Sequence, residues 1–112
     1  MSCGCIPIVN GWSGQSELIS KNGSDGFLID YILEPASKVV GTPWYTCRQN
    51  WARINILQLK KTMRKVYELK QNNPDKFQEM SYKARQTIID RFSYEAVSKI
   101  LDSTIEEVLK LK

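Results

Sequence analysis

The segment Ser13-Gly14-Gln15-Ser16-Glu17 holds the residue types and spacing best suited to chemistry in this chain. It follows a short apolar run, Ile6 to Val9, and precedes Leu18-Ile19, so it reads as the turn between a buried strand and a helix. In open α/β sheets, ligands collect at the carboxyl edge of the strands. Backbone N–H groups at a helix start attract anions, and glycine lets a ligand come close. The Ser13–Glu17 turn is therefore the candidate binding segment. A plain turn, whose glycines satisfy only backbone geometry, accounts for the same residues without any ligand.

Other chemistries find little support. The chain has no histidine, which removes Ser-His-Asp and Cys-His arrangements. Neither a P-loop nor a G-x-G-x-x-G run is present. Cys3, Cys5 and Cys47 make an odd count, unlike a secreted disulfide framework. Cys-x-Cys is a poor zinc half-site, so no metal is expected and the cysteines read as buried free thiols. Acidic residues such as Glu106-Glu107 read as solvated helix surface. Nothing in the pattern calls for a cofactor.

A net charge of +4 suits polyanions, anionic lipid surfaces or phosphorylated small molecules, and equally no partner. Lys60, Lys61, Arg64 and Lys65 form the one dense basic cluster, inside a strongly helical stretch. It reads as a solvated helix face, because no aromatic–arginine interleaving or nucleic-acid motif accompanies it. No run approaches the ~20 apolar residues that span a bilayer, and Met1 to Val9 lacks the basic start of a signal peptide. The expected compartment is the cytoplasm, with at most peripheral membrane contact.

The elements that must position the Ser13–Glu17 turn follow from the apolar pattern. Ile6 to Val9 lacks alternation, as in a strand buried on both faces of a parallel sheet, and Pro7 is tolerable near its start. Ser13 or Gly14 caps a helix carrying Glu17, Leu18 and Ile19, which exits at Asn22-Gly23. Asp25-Gly26 turns the chain into a second strand, Phe27 to Ile29. Residues 1–31 thus form a β-α-β unit whose two strands are too few for a stable sheet. Residues 32–54, with Pro35, Gly41, Pro43, Trp44, Tyr45 and Trp51, read as an irregular connector whose tryptophans need cover.

Residues 55–112 read as three helices. Asn55 caps the first, with Gln58 completing a capping box, and Ile56, Leu59, Met63, Val66 and Tyr67 recur at helical spacing. Asn72-Asn73-Pro74 ends that helix and starts the next, with Pro74 at the first helical position. Phe77, Met80, Ala84, Ile88 and Phe92 make the second stripe. Ser93 caps a third helix, in which Val97, Ile100, Leu101, Thr104, Ile105 and Val108 share a face. Lys110 and Lys112 complement its dipole. With 112 residues there is room for one small α/β domain, incomplete at its amino end.

Five stretches in order carry a resemblance. Met1-Ser2-Cys3-Gly4-Cys5-Ile6-Pro7-Ile8 resembles the EAMACGxPV stretch in the C-terminal domain of nucleotide-sugar-dependent glycosyltransferases with two Rossmann-like domains, the GT-B fold. Ser13-Gly14-Gln15-Ser16-Glu17 is similar to the Gly-Gly-x-x-Glu turn that follows there. Asn22 to Ile29 resembles NGxxGxLV, and Leu59 to Tyr67 looks like the helix beyond it. Lys83-Ala84-Arg85 with Arg91-Phe92-Ser93-Tyr94-Glu95 is similar to the ARxxxxxxFSWE approach to the last helix. The likeness runs from Met1 to about Leu101.

This resemblance implies a partial Rossmann-like parallel β-α-β unit followed by three C-terminal helices, a truncated GT-B C-terminal domain. It implies transfer of a hexose from a nucleoside-diphosphate sugar to a glycan, lipid or protein acceptor. Ser13, Gly14 and Glu17 would line the edge of the donor pocket. The departures matter too. The glutamate pair that binds donor sugar and ribose in retaining members is absent, as are the phosphate-cradling turn and the acceptor domain. Ser13 also replaces the first glycine of the usual pair. The isolated chain is then expected to be inactive, with Met1 an internal methionine of a longer or split enzyme. The rival reading is a non-catalytic helical interaction module completed by a separate chain, whose exposed strand edge and apolar faces invite pairing.

Overall fold

The computed structural model describes residues 1–36 and 48–110. Gly41, Pro43, Trp44, Tyr45, Cys47 and Lys112 lie outside the described residues. The fold is mixed α/β, with a small parallel pair of strands followed by C-terminal helices. Strand β1 is Ile8–Asn10 and β2 is Phe27–Ile29. They pair in parallel, with Ile8 opposite Phe27, Val9 opposite Leu28 and Asn10 opposite Ile29. The N–H of Phe27 donates to Pro7 O and that of Gly11 to Ile29 O, extending the ladder at each end. Pro7 thus sits before the first strand residue, where its missing donor costs nothing.

Three expectations are corrected here. The β1 side chains are half-buried and Leu28 is exposed, so neither strand is covered on both faces. The crossover is no α-helix but a five-residue 3-10 helix, Ser13–Glu17. The cause is Asp25: the Ser20 N–H donates to its Oδ1 at 2.9 Å, diverting that donor from a helical ladder. Asn22 and Gly23 form a turn further on, with Gly23 in the left-handed region at φ 66° and the Asn22 side chain accepting from the Ser24 N–H.

The supposed connector is the third correction. Tyr31–Pro35 forms β3 and Asn50–Ile54 forms β4, an antiparallel pair with Tyr31 opposite Ile54 and Pro35 opposite Asn50. Across it, Arg53 Nε lies 3.1 Å from Glu34 Oε2. Trp51, on β4, remains partly exposed. Because β3 follows β2 after Asp30 alone, one extended segment serves both sheets.

Helix α1 is Ile56–Asn72, α2 is Pro74–Phe92 and α3 is Tyr94–Lys110. Each start is capped, the first and third by the expected Asn55 and Ser93 and the second by Asn73. Asn55 Oδ1 accepts from the Gln58 N–H, Asn73 Oδ1 from the Lys76 N–H, and Ser93 Oγ from the Ala96 N–H. Pro74 is the first residue of α2. The capping box, however, is not closed. Gln58 Oε1 accepts from the Asp30 N–H at 2.7 Å, while the Asn55 N–H donates to Asp30 O at 2.9 Å. The same two residues thereby clamp the β2–β3 junction onto the start of α1.

The parallel strand pair packs on α1. Ile19, Ile29, Ala36, Met80 and Ala84 are buried, and Gly26 is buried against Ile19 and Pro7. Gly26 admits no side chain: a Cβ there would stand 2.7 Å from both Ile19 Cδ1 and Pro7 Cγ. The amino-terminal segment is tied to α2, where Ser81 Oγ donates to Gly4 O and Arg85 to Ser2 O. Helix α3 buries no residue, and the molecule extends to 58 × 42 × 22 Å. Its radius of gyration of 18.4 Å exceeds the roughly 13 Å of a compact domain this size.

Candidate functional site

The Ser13–Glu17 turn sits where the sequence places it, just past the carboxyl end of β1. Gly11 ends the strand, with its N–H on Ile29 O. Trp12 then stacks obliquely on Tyr31, ring centroids 5.3 Å apart, which anchors the turn to the start of β3. Ser13, Gly14 and Glu17 are all exposed. Open space surrounds the position a Gly14 Cβ would take. Ser16 Oγ donates to Ser13 O at 2.7 Å and the Leu18 N–H to Gln15 O at 3.2 Å, which closes the turn on itself.

Two features differ from expectation. Neither Ser13 nor Gly14 caps the turn; Trp12 holds the capping position without a side-chain bond. Five residues of 3-10 helix also align too few peptide dipoles to form the anion-attracting terminus of a full helix. Ser13, by contrast, adopts φ 62°, the only described non-glycine residue with positive φ. That conformation favours glycine and costs another residue about 1 kcal/mol or more.

The residue missed by sequence reasoning is Asp25, read above only as a turn former. It is fully buried. Ser20 Oγ donates to Oδ2 at 2.6 Å and Thr87 Oγ1 donates to the same oxygen at 2.7 Å, beside the Ser20 N–H on Oδ1. Burial pushes the carboxyl pKa upward, but the bonds from Ser20, from Thr87 and from the Ser20 and Asp25 backbones outweigh it and hold it below its ordinary value. Asp25 thus ties the crossover to α2 across 62 residues of sequence. Its oxygens point inward, so it positions the turn and faces no ligand. A Ser/Thr pair around an aspartate leaves no periodic signal from which this could have been read.

The cysteines also depart from expectation, since Cys3 and Cys5 are exposed free thiols. Among the described residues, no group of three or more His, Cys, Asp or Glu side chains could hold a metal. Lys60, Lys61, Arg64 and Lys65 are exposed, as expected, and Lys65 Nζ lies 5.4 Å from the Phe27 ring centroid. Among the described residues, no helix is long and apolar enough to cross a membrane.

No family model, no curated protein and no solved structure matches the chain.

Proposed function

We propose that this chain is the C-terminal part of a GT-B-type hexosyltransferase using a nucleoside-diphosphate sugar. Ser13, Gly14 and Glu17 form one edge of its donor pocket. The reading rests on the resemblance of the five motifs, and one observation supports it above the rest. Ser13 holds a left-handed conformation at the position where the resembled turn carries glycine, at the carboxyl edge of a parallel strand pair. In a complete enzyme of this class the protein positions the donor and stabilises the departing diphosphate electrostatically. This chain supplies the rim of that arrangement and none of its charged ligands. It therefore neither turns over nor holds a nucleotide sugar at micromolar concentration.

The test is an amide-shift titration of the chain with UDP-glucose and GDP-mannose to ~10 mM. Weak, saturable shifts centred on Ser13 to Glu17 are expected with one of the two. Shifts absent from those amides, or micromolar affinity by calorimetry, would refute the assignment.

A second reading, a non-catalytic helical module completed by another chain, is favoured by a separate observation. Val97, Ile100, Leu101, Ile105 and Val108 share one face of α3 and are each 49–61% exposed.

A further inference from the structure

An amphipathic helix of α3's length draws most of its stability from covering its apolar face, and among the described residues that face is uncovered. The edges of the face are acidic. Asp102 flanks it on one side, one turn from Ile105, and Glu107 flanks it on the other side, beside Ile100 and Thr104. Lys99 and Lys110 lie toward the opposite side of the helix.

Helix α1 presents the counterpart. Ile56, Met63 and Tyr67 line up at i, i+7 and i+11 and are 57–63% exposed, away from the side that packs on α2. Lys60 and Arg64 lie along this stripe, and the open surface there, all of it on α1, also carries Lys61, Lys65 and Glu68. Among the described residues, none of Lys60, Arg64, Asp102 and Glu107 has an ion-pair partner within the chain. One helix thus carries an apolar stripe with cationic borders, the other an apolar stripe with anionic borders. Both helices pack on α2, and both stripes stay exposed.

We propose that two copies of this chain form a two-fold dimer in which α3 of each lies on the Ile56–Met63–Tyr67 stripe of the other's α1. Exchange of an identical element satisfies both surfaces at once and closes the assembly. At roughly 100 Å² for each half-exposed side chain, the two reciprocal contacts cover on the order of 1,500 Å². A stable dimer buries about 1,200–2,000 Å². An anionic lipid surface fits α3 poorly, because the borders of its apolar face are themselves anionic. The proposal rests on the second reading above only in holding that another chain covers α3. It does not depend on sugar transfer.

The test is sedimentation equilibrium of the full chain under reducing conditions, which remove any disulfide through the exposed Cys3 and Cys5. The expected result is a dimer of the 12.9 kDa chain at micromolar concentration. Its Kd should weaken at least tenfold between 50 and 500 mM salt, roughly as Debye screening requires. Lys60→Glu/Arg64→Glu and Asp102→Lys/Glu107→Lys should each be monomeric alone, with circular dichroism confirming that each is folded. Mixed in equal amounts they should dimerise, because both reciprocal contacts are then complementary again. A wild-type monomer at 100 μM, or a dimer indifferent to these reversals, overturns the proposal. In a monomer, hydrogen exchange on α3 separates the two failures. Unprotected amides sink the second-copy proposal alone, whereas strongly protected ones sink the interaction reading as well.

Discussion

Replacing Asp25 with alanine removes the acceptor that joins the β1–β2 crossover to α2. Three donors lose their partner: the Ser20 N–H, Ser20 Oγ and Thr87 Oγ1, at 2.9, 2.6 and 2.7 Å. A hydrogen bond to a charged group contributes about 1.5–3 kcal/mol, and an orphaned buried donor costs about 1–3 kcal/mol. The donors here are only part-buried, so water recovers some of that loss. The net expectation is about 3 kcal/mol, a large fraction of the roughly 5–15 kcal/mol that holds a domain together. Asp25→Asn keeps the shape and one strong acceptor and should lose about half as much. Thr87→Val, which leaves the Ser20 bonds intact, should lose about 1 kcal/mol.

The acid limb gives an independent check of the same network. The folded-state pKa of Asp25 lies below its unfolded value, so the unfolded chain takes up the proton first. The stability contributed by the ionised carboxylate is complete above the unfolded value, near pH 4. It is lost as pH falls through the folded pKa. Urea unfolding followed by circular dichroism should therefore show wild type losing more stability than Asp25→Asn between pH 4 and pH 2. Comparing the two cancels the contribution of Glu79, whose pKa is also lowered by the hydrogen bond and charge of Lys83. An Asp25→Ala change under 0.5 kcal/mol, or identical acid limbs for wild type and Asp25→Asn, would refute the reasoning.

Three further outcomes follow from single positions. Gly26→Ala should destabilise by about 1–3 kcal/mol by overpacking, because its Cβ would meet Pro7 O at 3.1 Å besides the two closer side-chain carbons; urea midpoints measure this. Ser13→Gly should be neutral or stabilising by up to about 1 kcal/mol, since it relieves the left-handed strain and loses only an exposed side chain; a clear loss of thermal stability would show that Ser13 is held there by something else. Asn55→Ala should cost about 1 kcal/mol through the lost cap and should selectively raise hydrogen exchange in the first turn of α1.

Much of the frame was legible because local rules governed it. The caps at Asn55, Asn73 and Ser93 and the proline opening α2 are nearest-neighbour effects, and each appears as the residue types dictate. Phe27–Ile29 was readable as a strand from its flanking turn, and a parallel partner from the apolar run Ile6 to Val9, although the paired residues are Ile8–Asn10. What stayed hidden depended on distant partners. The β3–β4 pair joins Pro35 to Asn50 without alternation or a tight-turn signal between them, so residues 32–54 read as irregular. Gln58 fits a capping box by spacing, yet its side chain serves Asp30 on another element. The crossover stops at Glu17 because Asp25 competes for the Ser20 backbone, a contest that helix propensity does not register. At the candidate site, the position of Ser13, Gly14 and Glu17 could be read, whereas the positive φ of Ser13 and the Trp12–Tyr31 anchor beneath it could not.

The arrangement that everything else depends on is the parallel β1–β2 pair presenting Ser13 to Glu17 at its carboxyl edge. Nuclear Overhauser contacts between backbone protons measure it directly, with the antiparallel β3–β4 pair as an internal standard. Contacts in the parallel pattern that set Ile8, Val9 and Asn10 against Phe27, Leu28 and Ile29 are expected. An antiparallel pattern, a shifted register or no cross-strand contact between these segments would contradict the fold and, with it, the donor-pocket edge.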